Sequence, residues 1–441
     1  MSPIRRAPRG PGLFVAAMAI ALAACSAAGP STVVPTKEST VSRLPSTVPA
    51  ETPPPGDAWL VVGAPGEPGL RVVLASSREE LVELPLGSPN ETWGEVVSTR
   101  QSDGQTVVDV ITVQPDLPAR TQSLDGAWRL PTLGNDALPV GVSANRSTIV
   151  LVEDQAADDN TSRFAVLVGR DDPRIIELTG AFEYDALSPD GSILYVVEHL
   201  PGPPAAHYQV RAMDIATGRL RDEVIVDKRN LDAAMGGWPI TQLRHEDGVV
   251  FTLYRGTDHT FIHALQSREA WAICLGLPTF GAGEEEAVLD WGLGQSADGR
   301  LVYAVNATLG LAVAIDSGEL SIKATATFDA PRAAASISLA KFGHADVGPV
   351  GRRVVVTPDG STIYAAGAGG IVKVRASDLT LLVHVLEGAA VDALAMTPDG
   401  AYLYALLPGQ GRIVKIELAS GQVVATVPGD GFDRLVAASP W

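Results

Sequence analysis

Apolar residues in this chain come in short runs of strand length, divided by compact polar turns, and one phrase returns: Leu187-Ser-Pro-Asp-Gly-Ser-Ile-Leu-Tyr-Val-Val197, Gln295-Ser-Ala-Asp-Gly-Arg-Leu-Val-Tyr-Ala-Val305, Val356-Thr-Pro-Asp-Gly-Ser-Thr-Ile-Tyr-Ala-Ala366 and Met396-Thr-Pro-Asp-Gly-Ala-Tyr-Leu-Tyr-Ala-Leu406. Each copy predicts a hairpin. Pro presets φ, Asp caps the turn backbone, Gly takes the positive φ, and an apolar strand bearing Tyr follows. Weaker turns fall at Asp103-Gly104, Asn145-Arg146 and Asp247-Gly248, so the spacings from Asp103 onward are 42, 45, 57, 51, 61 and 40 residues. A strand-rich period of about 40–50 residues is that of propeller blades.

A second signal follows the hairpins. Val210 to Gly218, Ala312 to Gly318 and Ile413 to Gly421 each read as a third strand ending in a polar turn, after which a fourth strand such as Gln422–Val427 begins. These residues resemble the YVTN-type β-propeller repeat proteins, whose blades carry a Ser-Pro-Asp-Gly turn, a Leu-Tyr-Val strand and an Asp-x-x-Thr-Gly turn. The match runs from about Glu183 to Val226 and from Trp291 to Val427, and is fainter before residue 180. The resemblance implies an all-β propeller of four-stranded blades and no particular activity, because one scaffold serves many roles.

The two ends of the chain complement each other. Arg434 to Ser439 reads as an inner strand without its hairpin, while Trp59–Val62, Leu70–Ala75 and Leu81–Leu84 read as the second, third and fourth strands of a blade lacking its first. The termini are therefore expected to close the ring in one mixed blade. Seven hairpin signals plus this blade make eight, with seven as the alternative if residues 93–133, the weakest repeat, are not a blade.

Ahead of the repeats, Arg5, Arg6 and Arg9 precede a short apolar run from Leu13 that ends in Leu22-Ala23-Ala24-Cys25. This is the form of a bacterial lipoprotein signal, too short to span a membrane, with Cys25 as the lipidated residue and new N-terminus. Residues 25–56 are rich in Ser, Thr and Pro and read as an extended tether, leaving 57–441 as the propeller. The expected location is the cell envelope, outside the cytoplasm and membrane-anchored.

Charge narrows the partners. The chain carries a net charge of −18, and residues 1–24 hold three Arg and no acid, so the rest is more acidic still. Such a surface disfavours nucleic acid and anionic headgroups. With Cys25 lipidated, Cys274 has no disulfide partner and reads as a buried inert thiol.

Candidate chemistry is sparse. Seven His are scattered, and His259 and His263 on one strand lie too far apart to share a metal. Asp154, Asp158, Asp159 and Asn160 lack the alternation of a calcium loop. Asp190, Asp298, Asp359 and Asp399 each precede the Gly of a hairpin and read as turn-formers. Trp238, Trp271 and Trp291 read as blade-packing residues. No cofactor, metal or catalytic group is called for.

A binding or interaction module is therefore the expected function, with an extracytoplasmic propeller enzyme, lactonase-like or quinone-dependent, as the alternative. In a four-stranded antiparallel blade the first-to-second and third-to-fourth turns share one face of the ring. The long segments fall on the other: Gln155–Ser162, Glu198–His207 and Arg255–Thr260 within blades, and Lys228–Trp238, Pro278–Leu289 and Asp329–Gly348 between them. Long loops on a rigid scaffold are where binding resides. This gives a candidate rim of Asp154, Asp158, Asp159, Glu198, His199, His207, Asp258, His259, Glu284, Glu285 and Glu286. Its expected partner is an envelope protein, glycan or small ligand, neutral or cationic, bound by a monomer.

Overall fold

The computed structural model describes residues 53–67, 69–112, 120–134, 138–154, 160–201, 207–230, 235–256, 259–279, 286–332, 351–429 and 431–439. The signal segment, Cys25 and the tether up to residue 52 lie outside the described residues, as do Asp158, Asp159, Asp258, Glu284 and Glu285. The strands form eight antiparallel sheets, each built on four strands in chain order. The first strands of neighbouring sheets lie against one another, which makes them the inner ring of a β-propeller.

We number the blades from the N-terminus. Blade 1 is the mixed one: Arg434–Ala438 inside, then Trp59–Gly63, Gly69–Leu74 and Glu80–Pro85. Leu60 faces Ala438 and Val62 faces Leu435 across the closing pair. Ser439 adds bonds to both backbone groups of Trp59, its amide donating to the carbonyl at 2.7 Å and its Oγ accepting from the amide at 3.2 Å.

The recurring phrase is explained bond by bond. In the four strong copies the Asp Oδ1 accepts from the Ser or Thr hydroxyl two residues earlier, at 2.6 to 2.7 Å. It also accepts from the amide two residues later, at 2.9 to 3.1 Å. The following Gly holds φ of 67 to 71°, a region that other residues enter only with strain. The Tyr of each phrase, Tyr195, Tyr303, Tyr364 or Tyr404, is at most 2% exposed and packs in a cluster shared with the next blade. The repeat is thus a turn that fixes a hairpin and an aromatic that joins hairpins together.

Three features depart from expectation. The Asp103-Gly104 turn joins the second and third strands of blade 2, Glu95–Ser102 and Gln105–Thr112, and not the first and second. Both residues have positive φ, 51° and 80°, the two-residue type I′ geometry that connects paired strands directly, whereas the Ser/Thr-capped turns use positive φ only at Gly. Blade 2 accordingly spans Gly87–Asp125, and Trp128–Arg129 already belongs to blade 3.

The second concerns the channel. The inner strand of blade 3 pairs at Trp128–Arg129, leaves the sheet, and returns only at Val142, which bridges to Ile149. Along this detour Leu133 joins the core of blades 3 and 4, Gly134 lies against the Pro239 and Ile240 carbonyls of blade 5, and Leu138 packs on the Trp59 and Trp93 cluster of blades 1 and 2. Blades 1 and 5 stand opposite each other in an eight-membered ring, so the detour reaches across the central channel.

The third concerns tryptophan. Trp291 is 1% exposed in the core and Trp271 is partly buried with Lys228 Nζ 4.1 Å over its ring, but Trp238 is 55% exposed and packs no blade. Cys274 is half-buried at the blade 4–blade 5 contact, and burial pushes its thiol up to about 12, so it stays protonated.

Two stability predictions follow from the closure and the channel. Leu435→Ala, at a fully buried position of the closing strand, should lower unfolding stability by about 2–5 kcal/mol, and deleting residues 432–439 should abolish a cooperative thermal transition. Gly134→Ala forces a side chain onto a φ of 53° against the Ile240 carbonyl and should lower the Tm measurably. Calorimetry that finds either variant as stable as the parent would refute the corresponding assignment.

Candidate functional site

The two faces of the ring have different chemistry. On the short-turn face the acids are consumed by their own turns: Asp190, Asp359 and Asp399 sit below the usual carboxylate value because a neighbouring Ser or Thr hydroxyl donates to each, with an amide second. Two open grooves lie on this face. One, of about 660 Å³, runs between Ser296, Tyr303 and Arg375; the other, of about 370 Å³, between Thr357, Lys373 and Glu417.

The opposite face carries the described members of the candidate rim. Asp154 closes the second strand of blade 3 and pairs with Arg129 at 3.3 Å. Glu198 and His199 end the second strand of blade 4, Ile193–His199. The Glu198 carboxylate accepts from Arg211 at 2.9 Å and from Gln209 at 2.6 Å, both across the strand pair. His199 Nε2 lies 3.3 Å from Glu183, which holds the imidazole above its usual value while the imidazole lowers Glu183. The Arg129 charge also reaches Glu183, so blades 3 and 4 share one linked patch of Asp154, Arg129, Glu183 and His199.

A second patch spans blades 4 and 5. His207 begins the third strand of blade 4 opposite Gly236, of the short Met235–Gly236 strand that adds to this blade. Two residues on, Trp238 opens the inner strand of blade 5 and faces Arg255 across the sheet. Gly256 N donates to the carbonyl of His259, whose ring stands 5.5 Å from that of Phe261. Gly237 is required here, since its φ is 128° and a Cβ would strike the Arg255 carbonyl. Glu286 stands apart, exposed before the 3-10 turn Ala287–Asp290 of the blade 5–blade 6 link. The described rim residues therefore fall into two patches and an outlier.

Sequence reading missed a charged group at the same end of the inner strands. Asp290, Arg353 and Asp392 each directly precede the inner strand of blades 6, 7 and 8. Arg353 lies 3.3 Å from Asp290 and 3.4 Å from Asp392. Burial raises Asp392 despite the guanidinium beside it. The signal that could have located these residues is their shared place before each repeat's first strand. This acid–Arg–acid chain links blades 6, 7 and 8, and Asp290 Oδ2 also accepts from the Thr308 hydroxyl at 2.5 Å. Among the described residues no group of three His, Cys, Asp or Glu has metal-binding geometry, and no helix is long and apolar enough to cross a membrane.

Comparison with known proteins adds the fold. No protein-family model matches the chain, and no match is found among curated proteins. Solved structures do match. Apo AztD from Citrobacter koseri superposes with a TM-score of 0.51 at 14% identity over 86% of this chain and 98% of that one. The dihydro-heme d1 dehydrogenase NirN, in complex with DHE, gives a TM-score of 0.51 at 14% identity over 90% of this chain and 78% of that one. Likeness at this identity establishes a shared propeller architecture and nothing about what this chain binds.

The turn acids yield a pH prediction. Their folded values lie below the unfolded one, so their contribution is present above the ordinary carboxylate value and is lost as pH falls through the folded value. The triple variant Asp190→Ala, Asp359→Ala, Asp399→Ala should lower the Tm at pH 7 and converge on the parent at strongly acidic pH. A Tm difference that does not change with pH would contradict this role.

Proposed function

We propose that the protein is a lipid-anchored, extracytoplasmic propeller of the YVTN-type repeat family that binds a neutral or cationic partner through its long-loop face. The observation that carries this reading is Trp238, 55% exposed at the channel mouth with His207, Arg255 and His259 around it. An indole left this open, where the other described tryptophans are buried or partly buried, is a contact residue awaiting a partner, because aromatic anchors ringed by polar groups supply most of the energy at recognition sites. Acids and His at the same rim favour a neutral or positively charged partner, in keeping with the net charge of −18.

Trp59, the first residue of the second strand of blade 1, pairs beside the outgoing end of the closing strand, so Pro53 to Asp57 approach the ring from the short-turn face and not from the Trp238 rim. The detour across the channel restricts recognition to the rim and argues against a partner threading the ring. An enzyme reading would call on acids such as Asp290 and Asp392, and both are engaged by Arg353, Asp290 also by the Thr308 hydroxyl.

Two experiments test this reading. Cys25→Ala should move the protein from the membrane to the soluble fraction, and intact mass should show an acylated N-terminus only in the parent. Trp238→Ala should weaken capture of the native partner from envelope extracts at least tenfold, ~1.4 kcal/mol, while substitutions at Asp298 and Asp359 on the opposite face leave it unchanged. Equal loss from both faces would defeat the binding assignment.

A further inference from the structure

Directly beneath the Trp238 rim, the contact between blades 4 and 5 brings buried polar side chains together. Blade 5 carries a polar row across all four strands: Gln242 opposite Thr252, Thr252 opposite His263, His263 opposite Cys274. Thr252 and His263 are 1% and 0% exposed. Facing this row, the inner strand of blade 4 bulges. Its register jumps from Tyr184 to Ala186, and Asp185, the unpaired residue, is 1% exposed. Among the described residues neither carboxylate oxygen of Asp185 and neither ring nitrogen of His263 has a hydrogen-bond partner.

The groups facing Asp185 do not neutralise it. Its charge reaches the phenols of Tyr195 and Tyr208 in blade 4 and Tyr254 in blade 5, all of them neutral and raised by burial. Tyr254 stacks on Tyr208 at 5.2 Å and meets His263 edge-on at 6.4 Å. Cys274 remains a thiol. Glu183 also reaches Tyr254, and it is paired with His199. Among the described residues Arg244 is the cation whose charge reaches Asp185, yet its guanidinium donates to the Tyr184 hydroxyl at 2.8 Å and the Val142 carbonyl at 3.0 Å. Gln242 donates to the Asp185 backbone carbonyl at 3.0 Å, not to the carboxylate.

An ionised carboxylate at this depth with no donor is costly, and the group escapes that cost by taking a proton. We propose that the interface of blades 4 and 5 is a proton-binding site, in which Asp185 is held as the neutral acid when the blades are closely docked and its ionisation loosens their contact. The proton comes from and returns to solvent, and no other reactant is involved. Because the site lies under the rim, its protonation state sets how firmly Trp238 and Arg255 are held. The proton site itself rests on packing alone and stands whether or not that rim binds a partner.

The direction with pH follows from linkage. Burial raises Asp185 from 3.8 to about 7, so its stabilising contribution is complete below the unfolded value and is lost as pH rises to about 7. His263, lowered by burial from 6.5 to about 4, acts in the opposite sense, its contribution being present above 6.5 and lost as pH falls. The two oppose each other over the range they share, and Asp185 is isolated by difference. Thermal unfolding of the full chain from pH 4 to 8 should show the Tm of Asp185→Asn rising relative to the parent by several degrees with pH, most of it before pH 7.5. Asp359→Asn, at a turn acid lowered by the Thr357 hydroxyl and the Ser361 amide, should show no such rise relative to the parent.

A second readout uses the parent fold. Infrared difference spectra should contain a protonated-carboxyl stretch that disappears between pH 6 and 8 and survives in Asp392→Asn. A band present at pH 5 and lost by pH 8 supports the site even if Asp185→Asn does not fold. No such band, or a Tm difference between Asp185→Asn and parent that is flat with pH, overturns it.

Discussion

Everything in this molecule depends on one strand pair, Arg434–Ala438 against Trp59–Gly63. A propeller blade buries both of its faces on neighbours, so an open ring would expose two faces at once and leave an inner strand without backbone partners. The closing pair is reinforced from both sides. Leu60, Leu435 and Phe432 share a cluster with Tyr404 and Leu406 of blade 8, while Val61 and Val436 pack with Trp93 of blade 2. Arg434, 7% exposed, donates to the carbonyls of Ala64 and Glu67 at 3.1 and 2.8 Å and pins the entry of the strand. Closure is therefore a packing event between three blades, with the strand ladder as its template.

Closure also decides where chemistry is available. Antiparallel blades send alternate connections to opposite faces, and the short connections are internally satisfied by the Asp that forms each turn. Their carboxylates are occupied before any ligand arrives. The other face receives the links between blades and the second-to-third loops, whose length is free of the turn constraint. That face carries Trp238, the one widely exposed Trp among the described residues, and the described rim acids and imidazoles. Even so, most of those acids are paired across strands, Glu198 with Arg211 and Asp154 with Arg129, which leaves shape and aromatic surface as the distinguishing features of the rim.

What the sequence reveals follows from the range of the interaction involved. The Ser/Thr-x-Asp-Gly turns and their Tyr were legible because the bonds that fix them lie within five residues, and the mixed blade was legible because a strand pattern without its hairpin can only be completed elsewhere. Asp103-Gly104 carried the right dipeptide and the wrong place, since a type I′ turn and a Ser/Thr-capped turn share Asp-Gly and differ two residues before Asp, where Gln101 stands in place of the capping Ser or Thr. The detour after Arg129 left no signal: Leu133 and Leu138 look like ordinary apolar residues until they meet blades distant in sequence. Trp238 was misread because a Trp opening a strand is usually packed, and its exposure depends on the Gly237 backbone against Arg255. Asp290, Arg353 and Asp392 became a group only through the ring.

Asp185 is the sharpest case of the same limit. By sequence it is one acid in a strand between Tyr184 and Ala186, with no motif around it. A bulge of one residue turns it into an interior carboxyl, and cross-strand register places Thr252 and His263 on the opposing wall. Ring geometry leaves the contact no room to open fully, because blades 4 and 5 are each held by their other neighbour and by the detour that crosses to Ile240. The blades can therefore loosen but not separate, and taking up a proton is the smallest adjustment the interface allows. The constraint that closes the propeller is the same one that keeps an unpaired carboxyl inside it.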